Sequence, residues 1–361
     1  MSSEKRNKKI LVLCPYPRDY VPAQRLKFEQ YYNNWQENGY DLEISSFISE
    51  RTQKILYKKG HLLEKALGTL GGYLRRFRDL FRLHQYDVVY IFLWATPFGP
   101  PLMERMIRRL AKKQVYDIDD LVYMVSTSQH NKFIKPFKSA SKINYLIKKS
   151  DHVLVSTDEL VAYSKKLNES LTVVPATIDV KSYNYPVEHE SDTVVIGWSG
   201  SHTTSKYLHL IDGVLRHISQ KYPVKIMVMG DDDFVLDGVD IELLHWTAET
   251  EISNIQKFDI GLHPLPDEQW VHGKSGGKLV QYMAAGLPII ATAIGPNYKV
   301  IKDGYNGFLV KDEQEWIEKL ELLIKDSQLR KQMGYNSRKF AEENLSVEVY
   351  APKYLEVFNR L

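Results

Sequence analysis

Short hydrophobic runs rich in β-branched residues alternate with segments of helical spacing along the whole chain. In the first half, "KILVLCP" (9–15) and "YDVVYIFLW" (86–94) predict strands, and residues 22–38 predict a helical stretch that Gly39 closes. Further strands are predicted at 41–47, 113–119, 151–157 and 171–177. Because strands that alternate with helices form parallel sheets, we expect a mainly parallel sheet covered on both faces.

The alternation pauses in the polar segment "KSYNYPVEHESD" (181–192) and then restarts. Strands are predicted at 193–200, 224–230, 241–246, 258–265, 288–293 and 307–310, and helices at 312–326, 327–343 and 346–360. We therefore predict an α/β fold of two Rossmann-like, doubly wound parallel-sheet domains that face a cleft, with a C-terminal helical extension. The expected domains are residues 1–185, residues 186–345, and a helix at 346–361 that packs back on the first domain.

Length and composition fit this organisation. A chain of 361 residues with 43% hydrophobic residues is long enough for two domains that each bury a core. No apolar run approaches the roughly 18 residues that a membrane span needs. The single cysteine, Cys14, excludes an internal disulfide, and the first residues are typical of a strand rather than a signal peptide. We expect a cytoplasmic location.

The charge is unevenly spread along the chain. Residues 1–190 hold 30 Lys and Arg against 21 Asp and Glu, whereas the whole chain has a net charge of only +3. The basic residues cluster at 51–84 and 132–149, where apolar residues lie between them. Such segments suit an anionic membrane surface, and they are equally typical of solvated helix faces. Nucleic acid is not expected, because no binding motif accompanies the charge.

Two loops have the composition of anion sites at helix starts. "GWSGSHTTSK" (197–206) follows a strand, and its Gly200, Ser201 and Lys206 offer backbone amides, a hydroxyl and a charge. It matches neither G-x-G-x-x-G nor a P-loop, so a structural glycine turn is the alternative. The second loop, "GKSGGKLVQYMAAG" (273–286), places Gly276 and Gly277 between two lysines at a helix start. Two helix starts of this composition in one domain favour a binding site for a diphosphate over glycine turns that have only a structural role.

Spacing on the second helix separates its faces. Leu279, Met283 and Gly286 fall at i, i+4 and i+7, which predicts a core-facing stripe. Lys278 and Gln281 lie off this stripe and share one side near the helix start. A diphosphate there would meet backbone amides, ammonium groups and a neutral amide.

Other candidates lie after further strands. Trp246 would either stack on a base or pack in the core. "VYDIDD" places Asp117, Asp119 and Asp120 at a strand end, where carboxylates suit a general base, a hydroxyl site or turn capping. A metal site is not expected there, because no other metal ligands are nearby. Arg25, in the first turn of the first helix, would hold an anionic acceptor group or form a surface ion pair.

These residues resemble a known family. Residues 193–310 are similar to the donor-binding domain of GT-B-fold glycosyltransferases, specifically the retaining glycosyltransferase family 4, or group 1, proteins of bacterial surface-polysaccharide synthesis. "GKSGGKLVQYMAAGLPIIAT" followed by "GYNGFLV" is the most specific part, and "DIDD" and "PAQRL" in the first half are weaker similarities. The resemblance implies that a nucleotide-sugar binds mostly to the C-terminal domain, with its base near Trp246. The implied donor-binding residues are Gly200, Ser201, Lys206, Trp246, Lys274, Ser275, Gly276, Gly277, Lys278 and Gln281.

The sequence departs from the family at one signature. The family has two glutamates with seven residues between them, and here the positions hold Gly273 and Gln281. The Gln281 amide can still bind ribose hydroxyls, and Asp267 or Glu268 would replace the missing sugar-contacting carboxylate. Lys274 is the alternative contact to the sugar or phosphate.

The resemblance implies a metal-independent transfer of a sugar to a hydroxyl of a glycan or polyprenyl-linked acceptor, without any cofactor. Lysines and helix-start amides would stabilise the leaving nucleoside diphosphate, a UDP or a GDP, and Asp119 and Asp120 would orient or deprotonate the acceptor. The basic segments would then hold the enzyme at the inner face of the membrane. A nucleotide-sugar epimerase on the same fold and a non-catalytic nucleotide-sugar-binding protein are the alternatives.

Overall fold

The computed structural model describes residues 7–58, 60–119, 140–186 and 193–361, and the chain divides into two compact units. The first unit is Met1–Pro175 with Tyr350–Leu361, and the second is Ala176–Val349. The expected boundary lay at residue 185, ten residues beyond the end of the first unit. Residues from 176 belong with the second unit because Ile178 pairs with its far end, where the Ile178 amide donates to the Leu345 carbonyl at 2.9 Å.

The first unit contains a six-stranded parallel sheet. Its strands are β1 (Lys8–Cys14), β2 (Tyr40–Ser46), β3 (Val88–Phe92), β4 (Gln114–Ile118), β5 (His152–Val155) and β6 (Leu171–Val173), in the spatial order β2-β1-β3-β4-β5-β6. β1, β3, β4 and β5 are buried along most of their length, as expected for strands covered on both faces.

Eight α-helices belong to the described part of the first unit. They are α1 (Pro22–Lys27), α2 (Tyr32–Glu37), α3 (Glu50–Gln53), α4 (Leu62–Leu80), α5 (Leu102–Leu110), α6 (Ala140–Lys149), α7 (Asp158–Ser164) and most of α14 (Val347–Arg360). One face of the sheet packs with α4, α5 and α6 through a cluster that includes Leu80, Ile107 and Leu146. α14 returns to this unit, where the Tyr354 hydroxyl donates to the Lys27 carbonyl at 2.8 Å.

The second unit contains another six-stranded parallel sheet. Its strands are β7 (Val194–Ser199), β8 (Val224–Met229), β9 (Ile241–Leu244), β10 (Ile260–His263), β11 (Ile289–Thr292) and β12 (Gly307–Val310), in the spatial order β12-β11-β10-β7-β8-β9. Its helices are α8 (Asp212–Lys221), α9 (Glu251–Ile255), α10 (Gly277–Ala284), α11 (Asn297–Val300), α12 (Glu313–Lys325) and α13 (Ser327–Asn344). This is the doubly wound arrangement of a Rossmann-like domain.

Two predicted helices are not continuous α-helices. The stretch at 22–38 is interrupted by a 3-10 turn at Glu29–Tyr31, where the buried Glu29 carboxylate accepts from Gln24 Nε2 at 2.6 Å and from the Asp19 amide at 3.0 Å. The helix after β7 begins as a 3-10 helix, Ser205–Ile211, and becomes α-helical only at Asp212. The Gly200 loop therefore precedes a 3-10 helix rather than an α-helix.

Candidate functional site

The chain order of the second sheet defines its topological switch point. From β7 the chain builds outwards through β8 and β9, and then crosses to the other side of β7 to build β10, β11 and β12. The crevice outside the carboxyl ends of β7 and β10 is where sheets of this type bind ligands. The predicted donor loop at 200–206 follows β7 directly, and the loop at 273–278 follows β10 after a connection that contains a 3-10 helix at Gln269–Gly273.

Tyr282 holds the two strands apart at this crevice. β7 and β10 pair at Ile196–Ile260 and Gly197–Gly261, and the pairing stops there. Beyond it, the Tyr282 hydroxyl accepts from the Ser199 amide at 2.7 Å and donates to the Leu262 carbonyl at 3.4 Å. These are the groups that would hydrogen bond directly if the parallel ladder continued. The side chain from α10 thus replaces one rung of the sheet and opens its carboxyl edge.

The paired glycines of β7 and β10 make room for aromatic rings. A Cβ on Gly197 would lie 2.0 Å from the Phe258 ring, and a Cβ on Gly261 would lie 2.7 Å from the Tyr282 ring. The two rings meet edge to face with centroids 6.4 Å apart. Tyr282 is therefore fixed between the sheet and α10 by packing as well as by its hydrogen bonds.

The loops after β7, β8 and β9 meet at Gly200. Gly230 has a φ of +92°, and a Cβ on it would lie 2.1 Å from the Gly200 carbonyl oxygen and 3.7 Å from Trp246 Cβ. The half-buried Trp246 ring is fixed because its Nε1 donates to the buried Glu251 carboxylate at 2.7 Å. The structure thus brings the predicted Gly200 and Trp246 together, through a glycine that sequence reasoning missed.

The predicted helix start at 276–278 is confirmed in detail. Gly276 caps α10 with a φ of +79°, in the left-handed region that glycine favours, and Gly277 is its first residue. Leu279 and Met283 are buried, as the stripe predicted, but α10 ends at Ala284. Gly286 was wrongly placed on the helix face, because its φ of +72° belongs to the turn that follows the helix.

Three lysines of the site lie over aromatic rings. Lys278 Nζ lies 5.1 Å from the centroid of Trp198, Lys274 Nζ lies 4.9 Å from that of Trp270, and Lys206 Nζ lies 5.0 Å from that of Tyr207. The Tyr207 and Trp270 rings are 5.4 Å apart, so Lys206 and Lys274 belong to one cluster although 67 positions separate them in the chain. The two predicted loops therefore present positive charge to the same crevice.

Three buried polar atoms at this crevice have no hydrogen-bond partner among the residues that the structure describes. They are Ser199 Oγ at the end of β7, His263 Nδ1 at the end of β10, and Gln281 Nε2 on α10. Leaving such groups unpaired costs about 1–3 kcal/mol each, so a polar ligand that hydrogen bonded to them would recover that cost. Gln281 was predicted from the sequence. Ser199 and His263 were missed, although both end strands that border the switch point.

Burial holds the pKa of the His263 imidazole well below its usual range, and the charges of Lys278 and Lys274 lower this pKa further. The ring is therefore neutral near pH 7. A neutral imidazole beside two ammonium groups offers a hydrogen-bonding nitrogen without adding charge. It is thus suited to a ligand hydroxyl or phosphate oxygen that the lysines already attract.

The remaining donor-side candidates lie on the loop before α10. Ser275 is half-buried between Lys274 and Gly276. Asp267 is 80% exposed, and its carboxylate lies 3.6 Å from His272 Nε2. The structure therefore places Asp267 in an exposed contact with His272 on the loop that carries the lysines.

The acceptor-side candidates lie in the first unit. Asp119 is buried at the carboxyl edge after β4, and its Oδ1 has no hydrogen-bond partner within the described ranges. Asp117 has a structural role, because it accepts from the Tyr90 hydroxyl and lies 3.4 Å from the buried Lys27 ammonium. Arg25 is half-buried on α1. The prediction for Asp120 lies outside the described residues.

The described residues lack both a metal-binding cluster and a membrane-spanning helix. Residues 7–58, 60–119, 140–186 and 193–361 contain no group of three or more His, Cys, Asp or Glu that could hold a metal ion. No helix in the same ranges has the length and apolar character needed to cross a membrane.

Comparison with known proteins locates the matching segment at this site. Residues 265–340 match the family model described as glycosyl transferases group 1. The capsular polysaccharide biosynthesis glycosyltransferase CapM of Staphylococcus aureus is 26% identical over 183 residues, which is 47% of this chain and 47% of that protein. The chain thus spans at most about half the length of the curated relatives it matches. The resemblance to group 1 glycosyl transferases is confirmed, and its matching segment contains the lysine–glycine loop and α10.

Solved structures extend the similarity to the fold of nearly the whole chain. A sucrose-phosphate synthase from Thermosynechococcus elongatus matches with a TM-score of 0.70 at 14% identity, covering 98% of this chain and 99% of its own. The Anabaena protein HepE in complex with UDP-glucose matches with a TM-score of 0.67 at 16% identity, covering 98% and 100%. The predicted GT-B fold class, with two Rossmann-like parallel sheets and C-terminal helices, is therefore confirmed.

Proposed function

We propose that this protein is a glycosyltransferase that moves a sugar from a nucleoside-diphosphate sugar to a hydroxyl of a glycan or lipid-linked acceptor, in the synthesis of a surface polysaccharide or glycolipid. The observation that carries the proposal is the crevice at the switch point of the second unit. It combines the lysine–glycine loop with three buried polar atoms that lack partners among the described residues. The group 1 match over residues 265–340 and the UDP-glucose complex of the HepE neighbour support it.

The chemistry follows from the groups at the crevice. Negative charge grows on the nucleoside diphosphate as it leaves, and the Lys274 and Lys278 ammonium groups with the Gly276 and Gly277 amides would stabilise it. No metal is needed for this step, because fixed positive groups supply the same stabilisation. Retention at the anomeric carbon is part of the proposal through the family resemblance.

The roles that we propose for the remaining residues follow from where these residues lie in the two units. Trp246, whose ring Glu251 fixes, would border the base, and the Gln281 amide would bind ribose hydroxyls. His263 and Ser199 would contact the diphosphate or the sugar. On the acceptor side we propose Asp119 and Asp120, with Arg25 for an anionic group, and a cytoplasmic enzyme at the inner face of the membrane.

Nucleotide binding tests the site directly. We expect calorimetry to detect binding of UDP or GDP, and Lys278→Ala to weaken that binding at least about tenfold, because a lysine-to-phosphate contact is a charge-assisted hydrogen bond. Lys331→Ala, which removes an exposed lysine from α13 of the same unit, is the matched control and should leave affinity unchanged. Equal affinity in wild type and Lys278→Ala would contradict the placement of the diphosphate.

Turnover distinguishes transfer from the two alternatives. With the preferred donor sugar, we expect release of nucleoside diphosphate to rise when acceptor glycan is added, and to persist in EDTA. An epimerase would instead convert the donor without acceptor. A binding protein would bind the nucleotide and release no product under either condition.

A further inference from the structure

α4 exposes a row of apolar residues and buries two charged ones, Arg76 and Asp79. Leucine and phenylalanine side chains repeat along it at spacings of three and four, which normally marks a core-facing stripe. In the structure this row is 52–73% exposed. We call it the α4 stripe, and its members are Leu63, Leu67, Leu70, Leu74, Phe77 and Phe81.

The opposite face of α4 is fixed by polar contacts. Arg76 is fully buried, where it donates to the Ala95 carbonyl at 2.9 Å and to the Cys14 carbonyl at 2.8 Å. Asp79, also buried, lies 3.3 Å from Arg76. A Cβ on Gly72 would lie 2.6 Å from the Phe47 ring, so the helix is in close contact with the sheet here. The helix cannot rotate its leucines inwards without burying other groups and breaking this network.

A second helix extends the same surface. α5 packs against α4, and it exposes Leu102, Met106 and Leu110 at spacings of four. The acidic side chains of these helices are mostly buried, since Asp79 pairs with Arg76 and Glu104 lies 3.5 Å from the Lys142 ammonium. Glu64 is the one acidic residue of α4 and α5 that is exposed. The basic residues outside the core are Lys65, Arg75, Arg78, Arg105, Arg108 and Arg109.

The α4 stripe also reaches the ligand-binding edge of the first sheet. Phe47 follows the last residue of β2, and the Arg75 guanidinium donates to the carbonyls of Ser46 and Phe47 at 2.6 and 2.8 Å. Arg75 thus lies at the carboxyl end of β2, and from there α4 continues towards the amino end of β3. Residues 62–71 precede Arg75 in the helix, so they extend past the carboxyl edge of this sheet. The stripe is about 27 Å long, from the 18 steps between Leu63 and Phe81 at a rise of about 1.5 Å each.

We propose that the α4 stripe and the exposed face of α5 insert into the interface of an anionic lipid bilayer. Long apolar side chains flanked by arginine and lysine are the composition of helices that lie in the headgroup region. A second copy of the chain fits less well, because a symmetric contact would bring two basic surfaces together. The inference deepens the proposed function and rests on it for the lipid-linked acceptor, which this surface would bring to the carboxyl edge of the first sheet.

Vesicle flotation tests the surface with the full-length protein. We expect binding to vesicles of phosphatidylglycerol and phosphatidylcholine, and much weaker binding to phosphatidylcholine alone. The triple variant Leu67→Glu, Leu70→Glu, Leu74→Glu should lower binding at least about tenfold, since it removes apolar contact and adds repulsion. Arg78→Glu with Arg109→Glu should lower binding at low salt. Leu322→Glu, at an exposed leucine of α12 in the second unit, is the matched control and should bind as the wild type does.

If a second copy or another part of this chain covered the stripe, the same experiments would give different results. Equal binding of wild type and triple variant, or no wild-type binding to anionic vesicles, overturns the proposal. A wild-type dimer in light scattering that the triple variant abolishes would assign the stripe to a second copy. A large fall in melting temperature in the triple variant would show that the chain itself covers the stripe. Because UDP or GDP affinity is measured separately in each variant, failure of vesicle binding is distinguishable from failure of the nucleotide site.

Discussion

The His263 imidazole is the least expected residue of the candidate site. It is buried at the end of β10 and its Nδ1 has no partner among the described residues, while Lys278 and Lys274 lower its pKa. A structural histidine is normally fixed by hydrogen bonds at both ring nitrogens. A side-chain hydrogen bond with Asn297 raises the pKa of His263 against the larger effect of burial, and Nδ1 is left without a partner among the described residues.

The low pKa of His263 predicts how stability depends on pH. Its folded pKa lies below the unfolded value, so the unfolded chain takes up the proton first. The stability that comes from keeping this imidazole neutral is fully present above about pH 6.5, the ordinary pKa of histidine in an unfolded chain. It is lost as the pH falls from there towards the lower folded pKa. Between pH 7.5 and 5.5 we expect wild type to lose about 1 kcal/mol of unfolding free energy relative to His263→Asn, measured by urea denaturation.

The reference variant for this measurement is His84→Asn, which changes an exposed imidazole. It should follow the pH dependence of wild type. Burial raises the pKa of Asp117 to about 6, but this carboxyl is present in every variant and its effect cancels in the difference. A constant difference between wild type and His263→Asn across the pH range would contradict the neutral, buried imidazole.

At the scale of elements, the opening between β7 and β10 depends on the Tyr282 hydroxyl. Tyr282→Phe keeps the ring against Gly261 and Phe258 but leaves the buried Ser199 amide unpaired. We expect a loss of about 1–3 kcal/mol of unfolding free energy, together with weaker nucleotide binding. Tyr298→Phe is the control, because it removes a hydroxyl that donates to a carbonyl from an exposed side chain. A Tyr282→Phe protein as stable as Tyr298→Phe would show that the strands close again without the hydroxyl.

The same elements show what the sequence could predict. The start of α10 was predictable because Gly276 and Gly277 are local signals of a left-handed cap and a close backbone approach. The role of Tyr282 was not, because it depends on the register of β7 against β10, which local spacing does not encode. α4 is the clearest case. The sequence predicts that residues 51–84 lie at a membrane surface or form solvated helix faces, but the contacts of Arg76 with β1 and the loop after β3 decide which face of α4 is buried. Those partners are distant in the chain, so periodicity alone cannot identify the exposed face.

At the scale of the whole molecule, the chain leaves the first unit at Pro175 and returns to it at Tyr350. The last helix completes the core of that unit. Phe358 is fully buried, and its ring lies 4.9 Å from Trp35 and 5.4 Å from Tyr40, while the Tyr40 hydroxyl donates to Asn359 at 2.7 Å. The stability of the first unit therefore depends on residues that follow the whole second unit in the chain.

This arrangement predicts that a core substitution in α14 acts on the first unit. Phe358→Ala should lower the unfolding free energy by about 3–5 kcal/mol, because it leaves a cavity among Trp35, Tyr40 and Tyr354. Phe358→Leu, which retains most of the volume, should cost less, and Phe81→Ala at an exposed position should change stability by less than about 0.5 kcal/mol.

Trp35 lies in the affected core, so its fluorescence should report the transition. Below that transition, UDP or GDP affinity in calorimetry should remain that of wild type, because the proposed nucleotide site lies in the second unit. A Phe358→Ala protein with wild-type stability, or one that loses nucleotide affinity while still folded, would contradict this division of roles.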